Sequence, residues 1–282
     1  MTERPVLFGP GQTLVGVLTE PKNPTRSEVA FVMLNAGLIS RIGPHRFNVK
    51  LARALASAGQ TSFRFDLAGL GDSRGASSDV DFLVQAVRDI QSAMDHLEQT
   101  CGLRRFALVG ICSGAVNALA AAVADHRVTG VLMIDGYTYR TPWTMPVRRW
   151  KRFRAASWRE VGAHLGRRLS GKREPPADAA DAGDQLGLAP ANPPRAEFAR
   201  QLQVLADRRV AVFLMYSGSF VESYSYSSQF RHAFRNEKFL DAVRCDYRPD
   251  IDHTMVSLAS QRKMIDVVLA WVPAVQQAVA AA

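Results

Sequence analysis

Cys112 stands between two glycines in the run Gly110-Ile111-Cys112-Ser113-Gly114. A thiol held there could attack a carbonyl and carry its acyl group, provided that a base takes the proton and an acid orients the base. His253, in Asp252-His253-Thr254, is the candidate base. Asp135 is the preferred acid and Glu222 the alternative, with Asp250 and Asp252 as further candidates. Asp252 adjoins the histidine in sequence, so its side chain is expected to point elsewhere. Backbone amides would receive the developing oxyanion: Ser113 N–H, directly after the thiol, and Leu38 N–H, after Gly37.

These groups need elements to carry them. Phe106–Ile111 is an apolar run that reads as a buried strand, and Ala115–Ala124 reads as a helix. The turn between them is so tight that its central residue takes strained backbone angles, and the residues two places either side must be small. With Ser113 at the centre, the flanks would be Ile111 and Ala115, and isoleucine does not fit. Cys112 is therefore the central residue. Its place at a helix N-terminus favours an anion. The plainer alternative is a buried cysteine ending a strand, since free cysteine is among the most buried residue types.

Strand and helix patterns alternate along most of the chain. Residues 11–20 read as a hairpin strand, and Val29–Leu34, Thr61–Leu67, Val128–Ile134, Arg209–Tyr216 and Val243–Tyr247 as further strands. Helical spacing marks Arg46–Ala58, Val80–Leu97, Ser228–Phe239 and the stretch from Met255 onward, where Pro273 predicts a bend. Short connections between them predict an α/β fold with a mostly parallel central sheet and helices on both faces. The glycine-rich turn Asp66-Leu67-Ala68-Gly69-Leu70-Gly71-Asp72-Ser73 has the wrong spacing to cradle a nucleotide phosphate. Residues 137–200 break the rhythm, first aromatic and basic, then rich in Pro and Gly. They read as an inserted lid or cap between core parts 1–136 and 201–282.

The chain has 282 residues, 47% of them hydrophobic, and a net charge of +9. Three cysteines make no disulfide framework, residues 1–10 lack a signal pattern, and no apolar run reaches the roughly 20 residues of a membrane span. A cytoplasmic protein with no membrane partner is expected. Basic residues crowd the stretch 148–173, from Arg148 and Arg149 to Lys172 and Arg173, without a nucleic-acid-binding signature; no nucleic acid is expected. No metal site or cofactor is expected either, and the oligomeric state is open.

With the cysteine turn, the Asp66–Ser73 loop and Asp252-His253 together, the chain resembles an α/β-hydrolase. The stretch Asn35-Ala36-Gly37-Leu38 through Arg41-Ile42-Gly43-Pro44-His45-Arg46 resembles bacterial members of the serine-aminopeptidase-like or exosortase-associated type. The resemblance implies the α/β-hydrolase fold, and a nucleophile, acid and histidine in that chain order. Its usual acid position follows the strand ending at Tyr216, where Ser217-Gly218-Ser219-Phe220-Val221-Glu222 holds no Asp. Val128–Asp135 instead resembles the strand of haloalkane-dehalogenase-like hydrolases, which carry the acid at its end. Asn35, His45 and Trp143 are candidate substrate-binding residues, Asn35 equally a loop tie.

A cysteine where this family usually has serine turns the expectation towards thioesters, because a thiolate exchanges readily with them. The leading expectation is a thioesterase or acyltransferase that takes acyl-CoA or acyl carrier protein as donor, whose negative charge the basic stretch would suit. Cysteine-bearing relatives also include Dieckmann-type cyclases and dienelactone hydrolase. A small-ester carboxylesterase or lactonase, and a non-catalytic binding protein on this fold, are the remaining alternatives.

Overall fold

Val29, Phe31 and Met33 face one side of a sheet, and Ala30, Val32 and Leu34 face the other. The same alternation separates Phe106 and Leu108 from Ala107, Val109 and Ile111. Strands apolar on both faces must be covered on both faces, and the chain supplies helices for each. The computed structural model describes residues 1–23, 28–75, 79–155, 192–221 and 223–281.

The strands are β1 (Thr2–Phe8), β2 (Leu14–Glu20), β3 (Val29–Met33), β4 (Thr61–Phe65), β5 (Arg105–Ile111), β6 (Val128–Ile134), β7 (Ala211–Ser217) and β8 (Val243–Arg248). They form one eight-stranded sheet in the order β1-β2-β4-β3-β5-β6-β7-β8. Only β2 runs against its neighbours; β4, β3, β5, β6, β7 and β8 are mutually parallel. The helices are α1 (Phe47–Ser57), α2 (Phe82–Cys101), α3 (Ser113–Ala124), α4 (Thr144–Ala155), α5 (Arg195–Asp207), α6 (Gln229–Ala233) and α7 (Leu258–Ala280). Helices α2, α3 and α5 cover one face through Ile90, Met94, Leu119, Phe198 and Leu202. Helices α1 and α7 cover the other through Phe47, Leu51, Val268 and the fully buried Trp271.

The chain crosses from β3 to β4 and then returns past β3 to β5. The order reverses between β3 and β5, so the loops leaving their carboxyl ends diverge and open a crevice there. Cys112 and the loop from Leu34 to Arg41 both stand at that point.

The observed elements differ from the expected ones in three places. Strand β1 was not foreseen: it is a largely exposed edge strand containing Pro5, which only an edge tolerates, and just Val6 and Phe8 of its residues reach the core. The expected helix Ser228–Phe239 stops at Ala233, and a 3₁₀ turn follows at Lys238–Asp241. Phe230, Phe234 and Phe239 pack ring against ring at a spacing one continuous helix does not keep on one face. Helix α5 begins at Arg195, ahead of the boundary drawn at 200, and its buried Phe198, Leu202 and Leu205 pack on the sheet with the core.

Most of the expected lid, residues 156–191, lies outside the described residues. Its two ends are clasped together. Asn192 Nδ2 donates to Thr138 O at 2.8 Å, and Tyr139 Oη donates to Pro193 O at 2.8 Å. No helix of the described residues is long and apolar enough to cross a membrane.

Candidate active site

Strand β5 delivers Cys112 to the first turn of α3 with φ 56° and ψ −120°, angles that only an over-determined turn sustains in a non-glycine residue. The glycine rule holds here in atomic detail. A Cβ on Gly110 would sit 2.1 Å from Gly114 O, and one on Gly114 would sit 2.3 Å from Asn35 O. Both neighbours are backbone and cannot swing away. Gly114→Ala is therefore expected to cost about 3 kcal/mol or more in urea unfolding. A loss under about 1 kcal/mol would show the turn to be looser than its geometry.

His253 lies in the turn after β8, and three groups hold it. Its backbone N–H donates to Ser219 Oγ at 2.9 Å. Its ring packs edge-on against Phe220, with centroids 5.0 Å apart. Its Nδ1 is 2.8 Å from Asp135 Oδ2, and Cys112 is near enough for its side chain to act on the imidazole. Asp135 follows β6 with φ 50° and is 2% exposed. Its other oxygen accepts from Ser217 N–H at 2.7 Å, and its own N–H donates to Met215 O at 2.9 Å. The structure thus brings together Cys112, His253 and Asp135, from the ends of β5, β8 and β6.

Burial works against a charged imidazole, but the hydrogen bond to Asp135, the Asp135 charge and the neighbouring Cys112 outweigh it and raise His253 to about 10. A group raised on folding stabilises the fold fully below its ordinary value near 6.5, and that contribution is lost as the pH climbs through 10. Between pH 7 and pH 10 the protein is expected to lose roughly 3 kcal/mol of unfolding free energy through this group. Urea unfolding of wild type and His253→Gln at both pH values checks this. Equal falls in the two proteins would rule it out.

The other acids are engaged elsewhere. Asp250 pairs with Lys263 at 2.8 Å and with Arg248 at 3.3 Å. Asp252 accepts from Val256 N–H at 2.9 Å. Glu222 lies outside the described residues.

Opposite Cys112, the loop after β3 is pinned from several sides. Gly37 N–H donates to Ser113 Oγ at 2.9 Å, and Ile39 N–H closes the turn on Ala36 O at 3.0 Å. This sets Leu38 beside the N-terminus of α3, whose first amide, Ser113 N–H, has no carbonyl partner within the helix. Asn35 is 1% exposed, and its amide is engaged at both ends. Its nitrogen donates to Ile39 O at 2.9 Å and Asp66 Oδ1 at 3.1 Å, and its oxygen accepts from Leu67 N–H at 2.9 Å. Of the two roles open to it, the geometry is that of a loop tie. Arg41 completes the brace by pairing with the fully buried Asp66 and with Asp72.

His45 is exposed in the turn before α1, and Trp143 is 62% exposed ahead of α4. No hydrogen bond, ion pair or ring contact among the described residues joins either to Cys112, His253 or Asp135. Among the described residues no cluster of three or more His, Cys, Asp or Glu could hold a metal ion.

Residues 36–275 match the family model described as "Alpha/beta hydrolase family". The chain belongs to the alpha/beta hydrolase family. No curated protein matches the sequence. Among solved structures, this alpha/beta hydrolase is similar to the proline iminopeptidase of Mycobacterium smegmatis (16% identity, TM-score 0.58, 100% of each chain covered). It is similar to an esterase of Pyrococcus furiosus (11% identity, TM-score 0.58, 96% of this chain and 92% of that one). It is also similar to an alpha-beta serine hydrolase homologue from Coxiella burnetii (14% identity, TM-score 0.55, 96% of this chain and 97% of that one). At such identities the likeness shows the fold.

Sequence reasoning missed Ser217, Ser219 and Phe220. The segment from Ser217 to Phe220 stood out for lacking an aspartate. In the alpha/beta hydrolase structure it holds Asp135 and His253. Gly218 makes this approach possible: a Cβ there would lie 2.4 Å from Pro249 O, and its N–H donates to Ile251 O at 2.8 Å. A glycine between two serines after a strand was the available signal.

Proposed function

We propose that this hydrolase processes acyl thioesters through an acyl-Cys112 intermediate, as a thioesterase or acyltransferase with acyl-CoA or acyl carrier protein as donor. The Asp135–His253 hydrogen bond beside Cys112 at its strained turn carries this reading. Asp135 holds His253 through Nδ1, leaving Nε2 to the thiol. The Cys112 sulfur attacks the thioester carbon while His253 holds its proton. The oxyanion settles between Ser113 N–H and Leu38 N–H. Collapse breaks the carbon–sulfur bond to the leaving thiol, which departs with the proton from His253. Water or another acceptor then attacks acyl-Cys112, gives its proton to His253 and releases the Cys112 sulfur. The reaction conserves bond type on acylation, so a thiol nucleophile loses little free energy to its own intermediate. A cytoplasmic location belongs to the same proposal, as does a lid within residues 137–194.

The other two cysteines make a clean background for a test. The Cys245 thiol is pushed up to about 12 by burial and lies 3.4 Å from Tyr224 Oη. Cys101, the last residue of α2, precedes β5, whose length separates it from Cys112. Incubating the protein with an acyl-CoA, an acyl carrier protein and a matched oxyester, followed by intact mass and peptide mapping, is expected to place the acyl mass on Cys112. Thioester turnover is expected to exceed oxyester turnover. Equal or faster oxyester turnover would make it a small-ester hydrolase, and no adduct and no turnover with any donor would leave a binding protein.

A further inference from the structure

Helix α4 follows β6 and leaves the same sheet edge as Cys112. Its inward side is anchored: Thr144 is buried, Lys151 Nζ donates to Ser225 O, and the Lys151 ammonium sits 4.9 Å from the Tyr247 ring centre. This anchoring turns the opposite side to solvent. That side carries Trp143, Pro146, Trp150 and Phe153, spaced three, four and three apart, which makes one stripe. Trp143, Trp150 and Phe153 are 62%, 56% and 70% exposed. Arg149 and Arg154 border the stripe, and the Arg154 guanidinium lies 4.7 Å from the Trp150 ring centre. The helix contains no acidic residue.

Soluble proteins expose single apolar side chains freely but seldom a row of aromatic ones. Exposed apolar side chains also occur on two other connections. Leu38, Ile39 and Ile42 on the loop after β3, and Val256 and Leu258 after β8, are also exposed. The parallel strands send all three connections out at one edge. An acidic protein or the phosphates of CoA would be met by the arginines. An anionic lipid surface accepts both groups at once, with guanidinium groups on the phosphates and indole and phenyl rings at the acyl boundary.

We propose that the outer face of α4 docks on an anionic phospholipid bilayer, bringing the Cys112 edge of the sheet to the lipid surface. That no described helix spans a membrane does not bear on this, because a surface helix lies in the interface and needs no span. The proposal is independent of which acyl donor Cys112 takes.

Co-sedimentation with vesicles tests it. Vesicles of phosphatidylcholine with about one-quarter phosphatidylglycerol are expected to bind the full-length protein, more weakly as salt rises, and pure phosphatidylcholine vesicles to bind it little. The double variant Arg149→Glu/Arg154→Glu is expected to bind about 30-fold more weakly, and Trp150→Ser/Phe153→Ser about 10-fold more weakly. Cys112→Ala is expected to bind like wild type. In wild type, lipids carrying a doxyl quencher are expected to quench tryptophan fluorescence, while the near-ultraviolet circular dichroism of buried Trp271 reports that the variants are folded. The proposal fails if anionic vesicles do not bind wild type, if folded variants bind unchanged, or if only an acidic carrier protein is bound.

Discussion

Cys112→Ala is expected to lower kcat for an acyl thioester by about 10⁴-fold or more and to remove the covalent acyl mass entirely. The alanine methyl keeps the strained turn, since the residues that must be small are Gly110 and Gly114, not the central one. Stability at pH 7 should still fall modestly, because His253 loses a neighbour that helps to raise it. The paired measurement separates chemistry from folding: turnover drops by orders of magnitude while the urea midpoint moves modestly. Retained turnover in a folded Cys112→Ala protein would remove the nucleophile assignment, whatever the geometry around it.

Asp135→Asn is expected to be nearly as severe, lowering kcat by about 10³- to 10⁴-fold. The reason lies in donor and acceptor bookkeeping. One Asp135 oxygen accepts from Ser217 N–H, and the other faces His253 Nδ1. An asparagine would keep its oxygen on the Ser217 amide and turn its NH₂ to the imidazole. Nδ1 would then have to accept, the ring proton would move to Nε2, and Nε2 could no longer take a proton from the thiol. The imidazole would also lose its buried anion, so its titration should move down from about 10 towards the ordinary histidine range. Steady-state kinetics with a pH series reads both effects. Glu222→Gln is the matched control, expected to leave kcat within about threefold; a larger loss there than in Asp135→Asn would transfer the acid to Glu222.

Both expectations depend on groups of very different legibility. The thiol's position in its turn could be read locally. A steric rule acting over five residues distinguishes Cys112 from Ser113, and the same clash distances appear at Gly110 and Gly114. The parallel sheet could be read as well, because strands such as β3 and β6 are buried on every residue and helices such as α2 keep a regular apolar spacing. Strand β1 could not, because the two inward residues Val6 and Phe8 of an otherwise exposed edge strand are too short a pattern to betray it.

The partner of His253 is a different kind of question. Asp135 and His253 are 118 residues apart, and the resemblance of Val128–Asp135 to a strand that ends in the acid made Asp135 the preferred candidate without showing that the two side chains meet. Strand order decides it. Because β6 lies beside β7 and β7 beside β8, the ends of β6 and β8 converge across the Ser217–Phe220 loop. The outward turn of α4's aromatic rings was equally invisible, since amphipathic spacing does not say which face a helix presents to the core. The amino-acid sequence determined which residues could react and which elements would carry them, because sterics and periodicity act within a few residues. The tertiary structure alone decided which of them meet, because that depends on packing between strands far apart in the chain.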